Sequence, residues 1–159
     1  MYVAGTNKFV NKINSKRLEK LPGILIEYTA QVSTPTRGLI DPQVDNKGDI
    51  QGAPFQKYLK LKLNCRVMMT YNVDVCDSLT NGTLGEVVGF KYDKSDKLKY
   101  ILVKFDEAEC GRERRKHFGN NDYITQMITP VDIFEFNFPY SRSKHANSSS
   151  VKPHACSFP

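Results

Sequence analysis

Apolar residues return every three or four positions through "GTNKFVNKINSKRLEKLPG", at Phe9, Val10, Ile13, Leu18 and Leu21. That spacing places them along one side of a helix. Thr6 or Asn7 suits the start of the helix and Pro22-Gly23 its end, so a capped helix is expected between Gly5 and Gly23, fed by a short strand at Tyr2 to Ala4. Asn7, Asn11 and Asn14 stand four and three positions apart and share a face. Polar side chains beside the free amides of a first helical turn suit an anion. The period then shortens to two. Ile24 to Ala30 reads as a strand, and beyond it Leu59, Leu61 and Leu63 alternate with Lys60 and Lys62 before Val67, Met68 and Met69, giving two strands hinged at Asn64-Cys65. Between these stretches, Gln31 to Lys57 is rich in Ser, Thr, Pro, Gly, Asp and Asn without any period, and is expected to be a linker or loop at a domain boundary.

The segment "LTNGTLGEVVGF", Leu79 to Phe90, is a turn running into a strand. Asn81 and Gly82 tolerate the positive φ of a tight turn, Gly85 allows a second close backbone approach, and Val87 and Val88 favour an extended chain. "KYDKSDKLKY" is a polar hairpin tip, from which Tyr100 to Asp106 returns as the partner strand. "GRERRKHFG" reads as a basic loop carrying Arg112, Arg114, Arg115 and Lys116. "YITQMITPVDIFEFNF" adds one or two strands, its Pro130 pointing to an edge or a break, and the serine-rich stretch from Ser141 is expected to be flexible. Short strands turning every eight to twelve residues argue for a small barrel, so the fold class is mainly β with some α.

Of the 159 residues, 40% are hydrophobic and 25% charged, as in ordinary globular chains. A formal net charge of +6 makes nucleic acid the first partner to test. No run approaches the roughly 18 apolar residues of a membrane span, so no membrane partner is expected, and the reading is of an intracellular protein. Cys65, Cys76, Cys110 and Cys156 form no CxxC pair and find no zinc spacing with His117, His145 or His154, so neither metal nor disulfide is expected. A GxxxxGK[ST] loop, a GxSxG elbow and an HExxH helix are all missing, and no catalytic residue is assigned.

Two stretches together resemble one family. "TNKFVNKIN", Thr6 to Asn14, is similar to the T-N-x-x-V-x-x-x-N segment of the Pif-type (petite integration frequency) ATP-dependent DNA helicases, including those of Helitron-like mobile elements. "LKLNCRVMMTYNVD", "LTNGTLGEVVGF" and "ILVKFD", between Leu61 and Asp106, resemble that family's L-K-x-G-x-x-V-M-x-x-x-N-x-D and L-x-N-G-x-x-G-x-V patterns in the same order. The resemblance implies that residues 1–30 are the strand-helix piece of a second RecA-like α/β domain and residues 58–138 an inserted SH3-like barrel called 2B. Residues 31–57 would link them and residues 139–159 would return towards the RecA-like domain. It implies contacts to single-stranded DNA, weak in a fragment, bracing of the remaining motor, and ATP with Mg in the parent helicase but no cofactor in this stretch. Roles in DNA repair, recombination and telomere maintenance, and a nuclear site in a eukaryote, come with it. The candidate DNA-contacting residues are Thr6, Asn7, Lys8, Asn14, Arg66, Asn72, Arg112, Arg114, Arg115 and Lys116, and the turn residues are Asn64, Asn81, Gly82 and Gly85. Asn64 stands where the family usually has glycine, and Asn is the side chain best suited to a left-handed backbone there. A stand-alone SH3-like binding module is the alternative, since "NGTLGEV" also resembles ribosome-associated barrels.

Overall fold

A computed structural model describes residues 7–34, 38–45, 48–51, 53, 55–118, 127–132, 136–140 and 147–152. The strand expected at Tyr2 to Ala4 and the cap at Thr6 lie outside these residues. The chain is mainly β, with helices α1 (Asn7–Lys20) and α2 (Arg112–Phe118) and strands β1 (Ile26–Thr29), β2 (Gln31–Thr34), β3 (Gly38–Ile40), β4 (Tyr58–Leu61), β5 (Arg66–Met68), β6 (Leu84–Tyr92), β7 (Leu98–Phe105), β8 (Ile128–Asp132), β9 (Phe136–Tyr140) and β10 (Asn147–Lys152). They form three antiparallel sheets, ordered β1-β4, β3-β2-β10-β9 and β5-β6-β7-β8, with no hydrogen-bonded closure into one barrel among the described residues.

The alternation in "YLKL" does what its period requires. Leu59 and Leu61 are buried while Tyr58 and Lys60 face water, and these leucines join Cys65, Val67, Met69, Leu79, Val87, Ile101, Val103, Phe105 and Val131 in the main core. The hinge between β4 and β5 falls at Asn64, whose φ of 63° is the left-handed value expected at that position. The turn into β6 follows suit at Gly82, with φ 94°, while Ser78 and not Asn81 is its non-glycine residue at positive φ. Gly85 makes the close approach: a Cβ there would lie 2.7 Å from Val103 Cγ1 and 2.9 Å from the Lys104 carbonyl oxygen across the β6-β7 pair. Pro130 sits in β8, the edge strand of its sheet, where a missing N–H costs no ladder bond.

Three expectations need correction. Gln31 to Lys57 is no unstructured linker: it holds β2, β3 and the bridges Val44 to Ile50 and Asp49 to Gln56, and Val32 and Ile50 are fully buried in a second small core. Alternation is too short in three- and four-residue strands to register as a period, which is why this stretch reads as loop. The serine-rich stretch supplies β10, which pairs with β2 and β9, because backbone pairing needs no apolar side chains. The basic run at Arg112 to Lys116 is helical, not a loop.

Candidate nucleic-acid interface

From Phe9 onward α1 contributes no fully buried residue, and Phe9, on the expected apolar side, is 54% exposed. Leu18 and Leu21 reach the main core from α1 and its end, and the Lys62 ammonium donates to the Leu21 carbonyl at 2.8 Å, tying the helix end to the connection that leaves β4. The opposite wall is β4, the Asn64 turn and β5. Between the two walls lies a cleft of about 470 Å³.

Its lining brings together residues from both sequence stretches. Asn11 and Asn14 project from the polar side of α1, and Asn64 and Arg66 come from the hinge and β5. The half-buried Leu18 and Leu21 supply apolar surface over the buried Leu61 and Val67, and Arg17, Lys20, Lys60 and Arg66 supply charge, with no Asp or Glu among the described lining residues. Two of these cations are held from outside the cleft, Lys60 by Glu27 at 2.9 Å and Arg66 by a two-pronged pair with Asp106 at 2.7 and 2.5 Å. The Arg66 guanidinium holds the Asp106 carboxyl below the usual carboxylate range. Asn14 carries the one unsatisfied buried side-chain polar atom among the described residues, its amide nitrogen. Cys65 also lines the cleft, and burial pushes its thiol up, away from a reactive thiolate.

The other candidates are dispersed. The side chains of Thr6, Asn7 and Lys8 fall outside the described residues, although Asn7 opens α1. Asn72 is a turn clamp, its side-chain oxygen accepting the Asn81 amide at 2.8 Å. The cations of α2 all have partners: Arg112 with Glu109 at 2.9 Å, Lys116 with Glu113 at 2.5 Å, Arg114 with Asp132, and Arg115 with the carbonyls of Cys110 and Ala108 and the Thr129 hydroxyl. Arg114 and Arg115 are therefore fastened to the framework, and only Arg112 and Lys116 stand well exposed. Sequence reasoning missed Asp77, a buried carboxylate accepting the amides of Glu113 at 2.7 Å and Arg114 at 3.0 Å. It caps α2 from 36 residues away, so no local spacing betrays it. No group of three metal-ligating side chains occurs among the described residues.

No protein-family model matches the chain. Curated sequences do: the zebrafish (Danio rerio) ATP-dependent DNA helicase PIF1 is 37% identical over 82 residues, which is 52% of this chain and 12% of that protein. The Campylobacter jejuni Pif1 helicase aligns with 97% of the chain at 22% identity, over 35% of its own length. Solved structures agree, with Candida albicans Pif1 covering 95% of the chain at a TM-score of 0.54 and 20% identity. The chain is similar to a segment of the Pif1 helicases. It spans 28% of a Bacteroides Pif1 solved with ADP-AlF3 and single-stranded DNA, which matches the whole chain at a TM-score of 0.54 and 17% identity. The likeness to Pif1 thus extends over nearly the whole chain.

Proposed function

We propose that this chain is the part of a Pif-type ATP-dependent DNA helicase that contacts single-stranded DNA and braces the motor. In this reading α1 and β1 belong to the second RecA-like domain, and the sheets around β4 to β8 form the SH3-like 2B insert. The observation that carries the proposal is the Pif1 match across both sequence stretches, with α1 seated on the strands through Leu18, Leu21 and the Lys62 contact. A stand-alone barrel module has no use for that helix. ATP and Mg serve the parent motor. The residues present do not fit them, since no GxxxxGK[ST] loop exists here to cradle a triphosphate and no acidic metal cluster occurs among the described residues.

The start of α1 is the test. Alanine at Thr6 and Asn7 removes polar side chains from a helix N-terminus while leaving surface charge unchanged. The double variant should bind an oligothymidylate more weakly in fluorescence anisotropy and bind heparin as before. If neutralising Arg112 and Lys116 instead weakens both ligands equally, and the alanine pair changes neither, the contact is indiscriminate charge attraction and the proposal fails.

A further inference from the structure

We infer that the cleft between α1 and the β4-β5 hinge takes one nucleotide of the bound strand with its base inward, an inference that rests on the single-stranded DNA reading above. Three features of the cleft converge on that ligand. First, the buried Asn14 amide nitrogen has no acceptor. A buried N–H left unpaired is destabilising, so a small turn of the Asn14 side chain that brings its nitrogen onto an acceptor in the cleft is favoured. Every nucleobase carries ring nitrogens or carbonyl oxygens of that kind. Second, the walls are mixed in the way a base requires: the amides of Asn11, Asn14 and Asn64 offer edge contacts, while the half-buried Leu18 and Leu21 offer apolar surface to a ring face. Third, Arg17 and Lys20, with Lys60 and Arg66 shared with Glu27 and Asp106 outside the cleft, and with no carboxylate among the described lining residues, give the lining a positive bias that suits the phosphate attached to that base.

Size permits it. A volume of about 470 Å³ lies within the range of small-ligand pockets and is too small for a folded partner. Among the described residues no Phe, Tyr or His lines the cleft, so the base is held by its edge and by aliphatic contact, not by the aromatic stacking common in single-strand channels. The DNA-contact candidates Asn14 and Arg66 and the turn residue Asn64 line this cleft together, and the two asparagines carry amides, which suit a base better than a phosphate.

The experiment compares the chain's affinity for an oligothymidylate with that for the same oligonucleotide made abasic, and repeats both with Asn14→Leu and Asn64→Gly. Loss of one good edge contact corresponds to about tenfold in affinity. The abasic strand should therefore bind about tenfold more weakly to the native chain, and the base-bearing strand should lose a similar factor in Asn14→Leu. Asn64→Gly keeps the left-handed turn, since glycine adopts φ 63° freely, and so reports on the amide without disturbing the fold. Equal binding of abasic and base-bearing strands to the native chain would overturn the base pocket while leaving the single-strand reading intact. No binding of either strand would overturn both. If Asn14→Leu and Asn64→Gly both fold and neither narrows the gap between the two strands, the base lies elsewhere and the inference is wrong.

Discussion

Two glycines, one in the turn before β6 and one within β6 itself, are held for different reasons, and the difference is measurable. At Gly82 the backbone is left-handed and nothing lies within 4 Å of where a Cβ would sit, so Gly82→Ala meets only the conformational penalty, about 1 kcal/mol. At Gly85 the obstacle is the neighbouring strand itself, because the Lys104 carbonyl 2.9 Å away cannot rotate aside as a side chain would. Gly85→Ala should cost on the order of 1–3 kcal/mol through overpacking, and its urea midpoint should fall below that of Gly82→Ala. The reverse order would mean that β6 and β7 do not approach as closely as their register requires. Both glycines, and Asn64, were legible in the sequence because turn chemistry is local. Which of them is limited by backbone angle and which by contact was not, because the contact comes from a strand nearly twenty residues further on.

The same division runs through the elements. Strands with clear alternation, β4 above all, and the long pair β6-β7 announced themselves, since their periods act within one segment. α2 did not, although "RERRKHF" contains good helix formers, because its basic composition suggested a solvated loop. A seven-residue helix is too short to persist on its own propensity. Here the missing stabilisation comes from outside, through the buried Asp77 carboxylate on the amides of Glu113 and Arg114 and the Gly111 amide on the Asp77 carbonyl at 2.8 Å. Asp77→Ala should therefore act as the loss of a helix cap, costing about 0.5–2 kcal/mol and raising amide exchange selectively from Glu113 to Phe118. Uniform exchange throughout α2 and the 74–79 turn, unchanged from the native chain, would show that Asp77 does not hold the helix.

For the whole molecule, the question is where a net charge of +6 acts. Composition pointed to Arg112 to Lys116, yet there the cations are matched by Glu109, Glu113 and Asp132 or by backbone carbonyls, and Arg114 and Arg115 are committed to packing. The carboxylate-free lining lies instead at the junction of α1 with β4 and β5, where residues some fifty positions apart meet. Linear sequence counts charges but does not say which are already paired, so this redistribution becomes visible only in three dimensions. It also bounds the strength of binding. Lys60 and Arg66 must be shared with Glu27 and Asp106, so on the proposed reading a strand would gain only a few phosphate contacts from this face. At roughly 0.7 per contact, the slope of log affinity against log salt for an oligothymidylate should be about −2 to −3. A slope much steeper than that, about −6 or beyond, would mean that the dispersed surface lysines bind the strand collectively. A slope near zero would mean that phosphates are not engaged at all, and the cleft would then have to hold its ligand by amide and apolar contacts alone.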